Sequence, residues 1–140
     1  MRLLISLVLV CMIAACARVP DADAIRATIG AMAAAAEARR SGDVLDHIAA
    51  DFTGNGGEFD RAGLERMLRL RLLGGHDIGV SLDSIDVDVD GDRAIARFTM
   101  TVTDDSGRWI PDRRATLDVT TGWRREGHEW LCYNAGWKQG

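Results

Sequence analysis

Leu82–Val102, LDSIDVDVDGDRAIARFTMTV, decides how the rest of the chain is read, because it describes two strands joined at Asp90-Gly91-Asp92. In the second arm Ala94, Ala96, Phe98, Met100 and Val102 fall on one face, while Arg97, Thr99, Thr101 and Thr103 fall mostly on the other. That period of two is the mark of a sheet with one buried face, and Asp-Gly supplies the turn. The first arm carries Ile78, Val80 and Leu82, then Ile85, Val87 and Val89, so its alternation slips near Asp83-Ser84. A slip of this kind predicts a bulge or bend that curves the sheet.

Further strands follow. Ala115, Leu117, Val119, Thr121 and Trp123 alternate with Thr116, Asp118, Thr120 and Gly122, and Arg125–His128 turns the chain into a last strand from Glu129 to Trp137. Upstream the period changes. Ile25, Ile29, Met32 and Ala36 mark a first helix capped by Asp23 and running to about Arg40. Asp43 caps a short second helix with Val44, Leu45, Ile48 and Ala49 on its apolar side, ending at Asp51-Phe52. Gly54-Asn55-Gly56-Gly57 reads as a loop, without the lysine of a phosphate-binding loop. Asp60 caps a third helix, Arg61 to Leu73, with Leu64, Met67, Leu68 and Leu72 facing one way and an arginine-rich face outward. The expectation is an α+β fold, three helices packed on one face of a curved antiparallel sheet of about four strands.

The first residues describe an export signal. Arg2 precedes an apolar run from Leu3 to Ile13, broken only by Ser6, and then Ala14-Ala15-Cys16. The run is short for a membrane span and suits a signal peptide. Ile13-Ala14-Ala15-Cys16 resembles the lipobox of bacterial lipoproteins, which implies acylation of Cys16 as the first residue of the mature chain. The alternative is ordinary cleavage near Ala15 or Ala17 without a lipid. The expected organisation is a lipoprotein signal peptide over 1–15, a lipidated cysteine and tether over 16–22, and one domain over 23–140. Ala17 after the cysteine resembles the pattern passed to the outer membrane, so the expected location is the periplasm, lipid-anchored, at the outer membrane in preference to the inner.

Removing residues 1–15 leaves 16 basic against 21 acidic residues. No basic stripe remains, which argues against nucleic acid as a partner. With Cys16 acylated, Cys132 is the one cysteine left, so no disulfide forms within the mature chain. Between Leu131 and Tyr133 in a strand pattern, Cys132 reads as a small core residue.

Two metal patterns fail on spacing. Asp86, Asp88, Asp90 and Gly91 match the first half of a calcium-binding loop, but Arg97 stands where the bidentate glutamate belongs. His76, His128 and Cys132 have no close ligand spacing. Neither a metal nor a cofactor is expected.

The order of elements, with AEARRSGDVLDHIAADF and the closing GWRREGHEWLCYNAGW, resembles the nuclear transport factor 2-like (NTF2-like) superfamily, including its SnoaL-like members. The resemblance implies a cone, a bent sheet wrapping the first helix with a cavity at its open end. It does not carry isomerase chemistry across, because the positions of the base, the tyrosine and the second acid fall on Asn55, Ala35 and Thr121. For a lyase-type or isomerase-type enzyme, the best acid–base pair is His47 and Asp51, four residues apart on the second helix. In a binding module, Asp51 is instead expected to satisfy the amides of Thr53 to Gly57. The aromatic residues Trp109, Trp123, Tyr133, Phe52 and Phe98 are the candidate lining of an apolar cavity. The leading expectation is therefore an anchored module that binds an apolar small ligand or a partner protein, with a homodimer as a further option.

Overall fold

The computed structural model describes residues 19–72, 77–104 and 114–140. Cys16, His76 and Trp109 lie outside them, as do the signal segment and Leu73, the expected last residue of the third helix.

Helix α1, Asp21–Glu37, opens immediately after Pro20, whose carbonyl accepts the first helical hydrogen bond from Ala24 at 3.0 Å. The expected cap, Asp23, is three residues late. No side chain caps this end, and Asp21 and Asp23 sit in the first turn, where carboxylates favour the helix dipole. Asp21 and Ala22, expected in the tether, thus belong to the domain. Arg39 takes φ +61° and ends the helix short of Arg40. Helix α2, Ser41–Leu45, begins two residues before Asp43, its expected cap.

The largest correction follows. Ile48–Gly54 is not helical but forms strand β1, and the chain then passes through a tight 3₁₀ turn, Asn55–Gly57, to the short strand β2, Phe59–Asp60. The apolar spacing of Ile48, Ala49 and Phe52 suits either a helix or a strand, and distant pairing decides between them. Ile48 pairs with Cys132, and the Cys132 amide donates to the His47 carbonyl at 2.9 Å. Helix α3, Arg61–Leu72, is capped as expected, with Asp60 Oδ1 accepting from the Gly63 amide at 2.7 Å.

Among the described residues the sheet has seven strands rather than about four. Besides β1 and β2 it contains β3 (Ile78–Leu82), β4 (Asp86–Asp90), β5 (Arg93–Asp104), β6 (Arg114–Glu126) and β7 (Glu129–Gln139). Their order is β2-β1-β7-β6-β5-β3, and β4 also pairs with β5. The expected bend at Asp83-Ser84 is present and divides the first arm of the hairpin in two. Strand β3 pairs with Met100–Asp104 and β4 with Arg93–Arg97. Among the described residues the pairings are antiparallel except β1 with β7, which is parallel.

The helices cover one face of this sheet. Ile25 and Ile29 of α1, Leu45 of α2 and Leu64 of α3 meet Ala94 and Ala96 of β5, Trp123 of β6 and Trp130 of β7 in a single core. Fully burying an isoleucine such as Ile25 contributes about 1.5–3 kcal/mol. Alanines at 94 and 96 let the helices approach this end of the sheet closely.

Candidate functional site

Directly paired residues in an antiparallel sheet share a face, so the register assigns the inner surface row by row. Ala94 stands beside Trp123, Ala96 beside Thr121, Phe98 beside Val119, Met100 beside Leu117, and Val102 beside Ala115. Burial changes along these rows. Ala94 and Ala96 are 4% and 0% exposed, whereas Phe98, Met100 and Val102 are half-buried, as are Leu117 and Ala115 opposite them and Leu82 and Val80 on β3. The inner face is tightest around Ala94, Ala96, Thr121 and Trp123, is half-buried from Phe98 to Val102, and closes again at Asp104 and Ile78.

Polar groups on this face are satisfied within the protein. Trp123 Nε1 donates to Thr121 Oγ1 at 2.7 Å, and that hydroxyl donates to the Ala96 carbonyl at 3.1 Å. Asp104 continues the row beyond Val102, opposite Ile78, and is only 2% exposed. It is the chemically capable side chain that the sequence reading passed over. Following the alternation 94, 96, 98, 100, 102 by one more step would have found it.

The predicted site residues scatter. Phe52 and Trp123 are core residues at 2% and 1% exposure, and Phe98 lies at the transition to the half-buried end. Tyr133 is not on the inner face. Between Trp123↔Cys132 and Gly122↔Asn134, strand β7 has one residue more than β6, and that extra residue is Tyr133. The bulge turns the ring outward, 5.1 Å from the Arg93 guanidinium carbon and 5.5 Å from that of Arg124. Arg93 and Arg124 pair across β5 and β6 on the outer face, where cation–π attraction holds the tyrosine.

His47 and Asp51 do not form a pair on a helix. His47 lies in the turn before β1, half-buried, and Asp51 lies on the strand with its side chain 66% exposed. Asp51 does not bind the amides of Thr53 to Gly57 either. Its two carboxylate oxygens accept hydrogen bonds from Arg124 at 2.7 and 3.1 Å, which hold its pKa below the ordinary 3.8. Of the positions aligned with isomerase chemistry, Asn55 accepts the Trp137 amide at 2.9 Å through Oδ1, Ala35 is buried on α1, and Thr121 serves Trp123.

Cys132 is 2% exposed, and burial pushes its thiol pKa up to about 12. Asp86, Asp88 and Asp90 are exposed along β4, with Asp88 3.4 Å from Arg97. Among the described residues no group of three or more His, Cys, Asp or Glu side chains converges, and no helix is long and apolar enough to cross a membrane.

These features define a class of fold, the NTF2-like or cystatin-like cone. Solved structures with that fold match most of the chain. An NTF2-like protein of unknown function from Pseudomonas putida KT2440 is 17% identical, with 84% of each chain covered and a TM-score of 0.72. A proposed dehydratase of the NTF2-like family from Streptomyces avermitilis is 16% identical over 86% of this chain and 96% of its own, with a TM-score of 0.72. A protein with a cystatin-like fold from Caulobacter vibrioides is 18% identical over 84% and 88%, with a TM-score of 0.67. At these identities the likeness is one of fold. No family model and no curated protein matches the chain.

Proposed function

We propose that the chain is a lipid-anchored periplasmic protein whose cone holds an apolar small molecule at the half-buried end of the inner face, without catalysis. The observation that carries this reading is the half-buried apolar stretch of β5, Phe98, Met100 and Val102, between buried Ala94 and Ala96 on one side and buried Asp104 on the other. Apolar, concave surface with few polar groups is what small hydrophobic ligands occupy. The anchor rests on Ile13-Ala14-Ala15-Cys16. Native mass measurement of the purified protein tests for a copurifying ligand, and titration with anilinonaphthalene sulfonate tests the site. Phe98→Asp should weaken dye binding by at least about tenfold, equivalent to 1.4 kcal/mol, while the fold is kept. Unchanged binding would remove the site. Intact mass of membrane-extracted protein tests the acyl chains, and a Cys16→Ser variant should be released from the membrane.

Lyase-type catalysis is the second reading, supported by buried Asp104 at the same end of the sheet and by the dehydratase description attached to the Streptomyces protein. A buried carboxylate has the environment of a general acid or base. Loss of a measured activity in Asp104→Asn with unchanged dye binding would favour it.

A further inference from the structure

The geometry points to the β4–β5 and β6–β7 turns as the surface that faces the anchoring bilayer, with the half-buried apolar end of the cone opening away from it. This rests on the acylation of Cys16 proposed above.

The start of α1 is clamped to both turns. Val19, Asp21, Ala24, Arg125, His128 and Trp130 surround a hollow of about 290 Å³. Asp21 is ion-paired with Arg125 and accepts a hydrogen bond from Trp130 Nε1 at 3.4 Å. The Arg125 guanidinium lies 4.9 Å over the Trp130 ring, and the Arg125 amide donates to the Asp92 carbonyl at 2.9 Å. Helix, β6–β7 turn and β4–β5 turn are therefore one mechanical unit.

Chain length then fixes the distance to the lipid. Cys16 precedes Val19 by three residues, so their Cα atoms are separated by at most about 11 Å. The apolar end lies much farther off. From Asp21, α1 runs 17 residues, about 25 Å at the helical rise. It is held along the way by Arg26 Nε donating to the Ile85 carbonyl at 2.9 Å and by Glu37 accepting the Val80 amide at 2.7 Å. Strand β5 runs in the same sense from Arg93, beside the turn, to Asp104, about 36 Å away at the strand rise. Inverting the domain, so that Met100 and Val102 meet the bilayer, would require the tether to span the length of the cone. Three residues cannot do so. The turns themselves carry Asp90, Asp92, Glu126 and Glu129, so the short tether, and not attraction to anionic head groups, is what keeps them near the lipid.

The functional consequence is that ligand enters and leaves on the aqueous side rather than through the membrane that carries the anchor. The test uses the acylated, full-length protein in phosphatidylethanolamine–phosphatidylglycerol vesicles containing a lipid with a nitroxide-labelled head group. Bimane is placed in turn on His128→Cys, Lys138→Cys and Leu70→Cys, and buried Cys132 gives little background. The expected result is loss of fluorescence at position 128 and none at 138 or 70. Quenching at 138 in acylated protein would overturn the orientation and leave the anchor standing. Quenching at 70 would do the same, by showing a domain tipped onto the arginine-rich face of α3. Intact mass, read in parallel, separates the remaining case: unacylated protein that stays in solution would overturn the anchor and the orientation together.

Discussion

Arg124 on β6 reaches across the whole width of β7 to grip both carboxylate oxygens of Asp51 on β1, at 2.7 and 3.1 Å, passing the ring of Tyr133 on the way. The bridge ties together two strands that are not neighbours. Its electrostatics set a direction for acid sensitivity. Hydrogen bonding to Arg124 lowers the folded-state pKa of Asp51 beneath the ordinary 3.8. A carboxylate lowered on folding adds stability above the unfolded pKa and loses it as pH falls through the folded one. The stability difference between the wild type and Asp51→Asn should therefore be present at neutral pH and vanish in strong acid. Exposure of the pair keeps that difference small. Carboxyl NMR titration provides the direct check: an Asp51 resonance titrating at or above 3.8 would contradict the bridge.

Among the described residues, Thr121 is the hydrogen-bond partner of the Trp123 indole, which is 1% exposed. Thr121→Val preserves shape and leaves that N–H unsatisfied in the core, so it should cost about 1–3 kcal/mol. Urea denaturation measures it, and a loss under about 0.5 kcal/mol would mean the indole finds another acceptor.

Cys132 should resist thiol reagents in the native state. Its thiol is 2% exposed and its pKa stands at about 12, so almost no thiolate exists near neutrality. Reaction with a disulfide reagent at pH 8 should await denaturant. Because the folded pKa is raised above the ordinary 9.0, the contribution to stability is full below pH 9 and is lost as pH climbs toward 12. Rapid native labelling would show the strand opening locally.

Calcium should find no home on the aspartate ladder. Asp86, Asp88 and Asp90 project from an extended strand, which spaces alternate residues about 7 Å apart, whereas calcium gathers six to eight oxygens at about 2.3–2.6 Å. Calorimetry should give a dissociation constant no tighter than roughly 1 mM, and tighter binding would require the hairpin to be rebuilt.

Much of the sheet was legible because its cause is local. Alternation along β5 and β6, the Asp-Gly turn and the slip at Asp83-Ser84 are all carried by side chains next to one another in sequence. So is the Asp60 cap of α3. Strand β1 was misread because nothing between Ile48 and Gly54 separates helix from strand until Cys132, more than eighty residues away, pairs with it. Tyr133 was assigned to the wrong face for a similar reason. The bulged residues Cys132, Tyr133 and Asn134 include neither glycine nor proline; the one local sign is Gly122 on the opposite strand, where the register shifts and Asn134 packs closely. The candidate pair His47 and Asp51 fell with the helix that was to hold it.

The parallel pairing of β1 with β7 has a consequence for how the molecule forms. Strand β7, made after the six other described strands, lies inside the sheet between β6 and β1, so the sheet cannot close until it arrives. Contacts between positions 48 and 132 or 54 and 135 enclose nearly the whole domain in one loop, the kind of distant closure that slows folding. A polypeptide leaving the ribosome would therefore keep β1 without its inner neighbour until β7 has been made.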